Sequence, residues 1–89
     1  MPTATMEIVN IKGLHARASA KFADLVEQYD ATARVRRDGN EADGDSIMGL
    51  LMLAATIGTT IEVETTGEDA VPLMAALTEL VADKFGEGD

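Results

Sequence analysis

Eighty-nine residues with 46% hydrophobic content suit one compact domain and leave no room for a second. The absence of cysteine excludes a disulfide framework, a thiolate metal site and thiol catalysis, and a net charge of −9 with 3% aromatic content argues against nucleic-acid or anionic-membrane partners. Residues 1–5 lack the basic and apolar runs of a secretion signal, and the longest apolar stretch, 47–57, is far short of a bilayer span, so a cytoplasmic protein is expected.

Residues 3–9 place Ala4, Met6 and Ile8 on one side of an alternating run and read as a first strand. A loop over 10–14 follows, and from Ala16 the period changes. Phe22, Leu25, Val26 and Tyr29 fall at i, i+3, i+4 and i+7, with Lys21, Asp24 and Gln28 left to water, which predicts an amphipathic helix starting near His15. Ala33 and Val35 alternate with Arg34 and Arg36, and Asp38-Gly39 is a two-residue hairpin signal leading into a short strand over 40–42. Gly44-Asp45-Ser46 offers N-cap side chains for a second helix over 47–55, which Gly58 is expected to end. Ile47, Leu50, Leu51 and Leu53 are expected to face inward there, and Met48 with Met52 outward. Residues 60–66 alternate Ile61, Val63 and Thr65 with Glu62 and Glu64, as a half-buried strand does, and Gly67 closes it. Asp69 is the expected cap of a last helix, with Pro72 in its first turn and Leu73, Ala76, Leu77, Leu80 and Val81 facing inward, while residues 86–89 are expected to fray. The order strand, helix, strand, strand, helix, strand, helix is that of an α+β sandwich, and periodicity leaves its strand order open.

His15 is the one histidine and stands where the first helix begins. No acidic residue occurs between Glu7 and Asp24, whereas Lys12, Arg17 and Lys21 all fall in that window. With His15 as the N-cap, the backbone N–H groups of Ala16 and Arg17 have no intrahelical acceptor and point where an anion on the imidazole would lie. A phosphoryl group brings about −1.5 to −2 charges. Distant carboxylates are screened beyond roughly 8–10 Å, whereas the helix end contributes ~0.3–1 kcal/mol and Arg17 adds charge-assisted hydrogen bonds. Local attraction wins, and with no metal or second cation cluster in view the group would be held without being trapped. A histidine in such a place commonly serves only as a cap, but the basic island and Gly13 favour a reactive role. One histidine, no base-orienting partner and no glycine-rich nucleotide loop argue against a stand-alone enzyme, and no metal or cofactor is expected.

The run Asn10-Ile11-Lys12-Gly13-Leu14-His15-Ala16-Arg17-Ala18-Ser19-Ala20 resembles the active-site segment of HPr, the histidine phosphocarrier family of the phosphoenolpyruvate-dependent phosphotransferase system. Ser46-Ile47-Met48-Gly49-Leu50-Leu51-Met52-Leu53 resembles the second signature of that family, at the expected separation. The resemblance implies an HPr-like open-faced β-sandwich, βαββαβα, with four antiparallel strands in the order 1-4-2-3 under three helices, as a single domain over 1–89. It also implies a monomeric carrier that accepts phosphate at His15 Nδ1 from phospho-enzyme I and passes it to a histidine of an enzyme IIA. Arg17 would neutralise phosphate oxygens, and the amides of Ala16 and Arg17 would complete the cradle.

Several positions qualify that picture. Family members usually carry proline where this chain has Ala18, which keeps a donor N–H and loosens the entry turn. Ser46 corresponds to the serine that a dedicated HPr kinase/phosphorylase modifies in some members, whereas from the residues alone it is the N-cap of the second helix. Met48, Leu51, Met52 and Lys21 are the expected docking residues, an adaptable apolar surface beside a reactive group. Asp24, Glu27 and Gly49 make the neighbouring surface acidic and apolar, as in the nitrogen-related branch. A regulatory relay with a nitrogen-type enzyme IIA is therefore preferred over general sugar uptake. The reading of a different class is a phosphorylation-independent binding module that keeps His15 only as a cap.

Overall fold

In the computed structural model, which describes residues 2–87, the elements are β1 (Thr3–Glu7), α1 (Ala16–Glu27), β2 (Thr32–Arg37), β3 (Asn40–Asp43), α2 (Ile47–Met52), β4 (Thr60–Thr66) and α3 (Ala70–Ala82). A single 3-10 turn over Lys84–Gly86 follows α3. The strands form one antiparallel sheet in the order β1-β4-β2-β3. This is the order the family resemblance implies, and it places β4 between β1 and β2.

Alternation sorts the strands into two faces. Met6, Val35, Ile61 and Val63 point to one side, where they meet Phe22 and Val26 of α1, Leu50 of α2, and Leu73, Leu77 and Val81 of α3 in one buried cluster. The opposite face carries Arg34, Arg36, Glu41, Asp43, Glu62 and Glu64. Registry sets two of the three arginines of the central β2 between carboxylates: Arg34 lies opposite Asp43 and Glu64, and Arg36 opposite Glu41 and Glu62, whereas Arg37 lies opposite Asn40. Arg36 donates to Glu41 at 2.7 Å, Glu64 at 2.9 Å and Glu62 at 3.2 Å, and Arg34 donates to Asp43 at 2.6 Å and also pairs with Glu41. The β2–β3 hairpin turns at Asp38 and Gly39, both at positive φ (50° and 81°), as a primed two-residue turn requires.

Four details depart from the periodicity. The first strand closes at Glu7 rather than residue 9, although Ile8 still exchanges backbone bonds with Thr59 and Gly58. Helix α2 stops at Met52, not Ala55. Leu53 is its C-cap, Ala54 takes the left-handed φ of +52°, and the Arg37 guanidinium donates to the Leu53 carbonyl at 3.0 Å. Gly58, at φ +85°, belongs instead to the turn into β4. On so short a helix Leu50 is buried, Leu51 is half-buried, and Ile47, the first helical residue, stays at the rim and 43% exposed rather than inward.

The third departure is at Asp69. It occupies the N-cap position of α3 but makes no side-chain cap bond; its carboxylate accepts instead from the Asp30 backbone N–H at 2.9 Å, pinning the α1–β2 connection. The fourth lies at residues 86–89, where Gly86 and Glu87 are ordered by the turn and Gly88 and Asp89 lie outside the described residues. Phe85 is fully buried against the core, and its carbonyl accepts from Lys21 Nζ at 2.7 Å. An aromatic ring inside the core resists fraying in a way that the surrounding Gly, Glu and Asp residues do not suggest. Among the described residues no helix is long and apolar enough to cross a membrane.

Candidate functional site

The loop between β1 and α1 is folded tightly before it delivers His15. Asn10 is fully buried; its side-chain amide donates to the Gly13 carbonyl at 2.8 Å, and its own carbonyl accepts from the Gly13 N–H at 3.1 Å. Gly13 has φ +66°, and a Cβ built on it would lie 2.5 Å from the Ala55 carbonyl oxygen and 2.9 Å from Thr56 Cα. Only glycine combines that backbone conformation with so close an approach. The approach in turn lets the Leu14 N–H reach the Ala55 carbonyl at 2.9 Å, docking the loop on the segment that follows α2. Ala18 and Ser19, both fully buried, seat the first turn of α1 against the core, and Ser19 Oγ donates to the Leu14 carbonyl at 3.2 Å.

His15 is the N-cap of α1, as its position in the sequence predicts. Its Nδ1 accepts from the Arg17 backbone N–H at 3.2 Å, and its Nε2 meets the Glu87 carboxylate. The two partners fix the ring's proton. A backbone N–H can only donate and a carboxylate can only accept, so the neutral imidazole carries hydrogen on Nε2 and a lone pair on Nδ1. Glu87 is held from its other oxygen by the Asn10 side-chain amide at 2.9 Å. Its carboxyl lies below the usual carboxylate range because it accepts from His15 and then from Asn10, with a further contribution from the Lys12 charge.

A cavity of about 370 Å³ opens over this arrangement, lined by Ile11, Lys12, His15, Arg17, Lys21 and Glu87. The basic island of the sequence is therefore also a basic island in space. Lys12 and Arg17 make no ion pair among the described residues. Lys21 is tied to the Phe85 carbonyl, so it buttresses the wall as well as charging it. A larger cleft of about 500 Å³ lies by the β2–β3 turn, but there Arg36 is already saturated with carboxylates.

The remaining predicted residues fall outside the cavity lining. Ser46 caps α2, its Oγ accepting from the Gly49 N–H at 3.0 Å. Met48 and Met52 are 70% and 79% exposed on α2, which packs beside α1, and Leu51 is half-buried. Glu87 was not found from sequence, where the site lacks a partner that could orient the histidine. One signal was available. Phe85 is the only large apolar residue after Val81, and an isolated aromatic among polar residues can anchor the segment that carries it.

Comparisons with known proteins point to one family and one fold. Residues 2–83 match the family described as "PTS HPr component phosphorylation site". The phosphocarrier protein HPr of Neisseria meningitidis is 48% identical over 85 residues, 96% of each chain. The phosphocarrier protein NPr of Escherichia coli is 40% identical over 84 residues, 93% of each chain. The crystal structure of HPr-C-His from Thermoanaerobacter tengcongensis has the same fold, with a TM-score of 0.93 at 33% identity over 98% of both chains.

Proposed function

The chain belongs to the HPr family of phosphocarrier proteins, whose members carry a phosphoryl group rather than act as stand-alone catalysts, and from that premise we propose that His15 accepts phosphate from phospho-enzyme I and delivers it to an enzyme IIA. The observation that carries the proposal is the state of the ring. Nδ1 presents its lone pair at the N-terminus of α1, beside the Arg17 N–H and over a cavity lined by Lys12 and Arg17. A phosphoryl group bonded to Nδ1 would exchange the single Arg17 N–H···Nδ1 contact for hydrogen bonds that the amides of Ala16 and Arg17 donate to its oxygens, with the Arg17 guanidinium as counter-charge. Exposure of the site suits a group that must leave again.

The same reading assigns partner docking to the exposed Met48 and Met52 with Leu51 and Lys21, and makes the chain a monomeric cytoplasmic domain over 1–89. Relatives named HPr and NPr lie within one range of identity, so the nitrogen-type branch rests on the acidic surface that Asp24 and Glu27 give α1. Ser46 has its capping role whether or not a kinase modifies it.

Incubation of the purified protein with phosphoenolpyruvate and enzyme I, followed by sugar-type or nitrogen-type enzyme IIA, tests the scheme. The parent protein is expected to gain one acid-labile phosphate and His15→Ala none, with unchanged circular dichroism; equal labelling of the two would remove His15 from the relay. Onward transfer to the nitrogen-type acceptor alone supports the regulatory branch, and transfer to the sugar-type acceptor alone rejects it.

A further inference from the structure

The carboxylate on the far side of the His15 ring is not one of the groups that the phosphate requires, and it lies beyond the residues matched to the family, which end at 83. Resting on the carrier reading above, we infer that Glu87 is a positioning residue for phosphoryl transfer: it holds His15 with Nδ1 unprotonated and serves as counter-charge to the cation that the ring becomes.

The charge follows from the bonding. Before transfer the ring has hydrogen on Nε2 and a lone pair on Nδ1, and it is neutral. As Nδ1 forms its bond to phosphorus, the bond that held phosphorus to the donor breaks and its electron pair returns to the donor atom. Both ring nitrogens of His15 are then substituted, one by phosphorus and one by hydrogen, so the imidazole has become an imidazolium. No proton has moved. The positive charge develops during the step, and a carboxylate already in place on Nε2 stabilises it more in the transition state than in the neutral ground state, which is the condition for acceleration. Onward transfer reverses the change and restores the neutral ring.

Glu87 is built for a fixed position. Its second oxygen is held by the buried Asn10 amide, its side chain is 13% exposed, and the turn that presents it is anchored by the buried Phe85 and by Lys21 on the Phe85 carbonyl. The depressed carboxyl keeps it anionic at neutral pH. The two ring nitrogens lie on opposite edges, so the carboxylate and the incoming phosphoryl group do not share a side, and Lys12 and Arg17 line the cavity they both border. Asn10 thereby links the base of the active loop to the counter-charge.

Glu87→Gln and Glu87→Ala separate the two roles. The glutamine retains an acceptor oxygen without charge, and the alanine retains neither. Nitrogen-15 spectra of unphosphorylated His15 are expected to show a hydrogen-bonded Nε2–H in the parent, a weakened one in the glutamine variant and none in the alanine variant. Loading by enzyme I and phosphoenolpyruvate should slow about tenfold in the alanine variant, with the glutamine variant between it and the parent. Identical ring spectra in all three proteins would overturn the contact, and altered spectra with equal loading rates would overturn the counter-charge. A parent that never loads would instead overturn the carrier reading and this role with it, while its spectrum still reports the contact independently.

Discussion

Two clusters of charge on this molecule use arginine in opposite ways. On the outer face of the sheet, Arg34 and Arg36 are enclosed by Glu41, Asp43, Glu62 and Glu64 from both neighbouring strands. These contacts raise both guanidiniums further above their ordinary value and push the Glu41 carboxyl down, with the Arg34 hydrogen bond as the largest cause for Glu41. At the entrance to α1, Lys12 and Arg17 border a cavity whose lining, among the described residues, holds one carboxylate, Glu87, and that group is taken by His15 and Asn10. A cation whose donors are filled from within the fold has little left for an outside anion. A protein of net charge −9 can therefore present a phosphate site, because what matters is which positive charges remain uncompensated nearby.

The largest test of this contrast exchanges the two arginines. Arg17→Ala is expected to slow phosphoryl loading by roughly a hundredfold, the scale of losing a charged donor to a transferring group, with a melting temperature close to the parent's. Arg36→Ala is expected to leave loading unchanged and lower the melting temperature by at most a few degrees, since Glu41 and Glu62 are exposed and Glu64 is only half-buried. Labelled-phosphate kinetics and thermal melts of the two variants give the four values. A loading defect in Arg36→Ala equal to that in Arg17→Ala would show that overall charge, not local compensation, governs the site.

Backbone packing differs between the regions in the same way. Gly13 and Gly39 both have positive φ, but a Cβ on Gly13 strikes Ala55 and Thr56 whereas one on Gly39 meets nothing within 4 Å. Gly13→Ala adds overpacking to conformational strain and is expected to cost about 2–4 kcal/mol, against about 1 kcal/mol for Gly39→Ala, where only the strain operates. Denaturant titration measures both. Similar costs would mean that the active loop can retreat from the α2–β4 segment without penalty, and that its docking there is not what positions His15.

What could be read from the sequence was local. Alternation in 32–37 and 60–66, the Asp38-Gly39 turn, the Ser46 cap and the place of His15 each depend on residues a few positions apart, and each matches the structure. Strand order has no such signal; it came from the resemblance of two motifs to a family, and β1-β4-β2-β3 agrees with it. The misreadings share a cause. Asp69 has the chemistry of a cap, yet the Asp30 N–H competes for its carboxylate, and α2 has leucines enough to continue, yet Arg37 and the Leu14–Ala55 bond end it. Glu87 reaches His15 across 72 positions of sequence, through a turn held by one buried phenylalanine, so beyond the isolated Phe85 its contact with the ring is set by tertiary packing.

The smallest expected effect concerns backbone strain at the same junction. Ala54 and Asp38 are both non-glycine residues at positive φ, 52° and 50°, one beside the active loop and the other in the hairpin of the charged face. Aspartate tolerates this region because its short polar side chain can bond locally, whereas alanine has no such compensation and carries the full steric cost of its Cβ. Ala54 occupies the position just past the C-cap of α2, where glycine is the favoured residue. Relief of the left-handed strain exceeds the extra freedom that glycine gives the unfolded chain, so Ala54→Gly should stabilise the protein by about 0.5–1 kcal/mol, and Asp38→Gly by less. Urea midpoints of the two variants measure the difference. Because Ala55 carries the carbonyl that receives the Leu14 N–H, the loading rate of Ala54→Gly is the informative second reading. An unchanged rate with a raised midpoint means that this strain is incidental to the site. A slower rate means that the rigid Ala54 conformation holds Ala55 against the active loop.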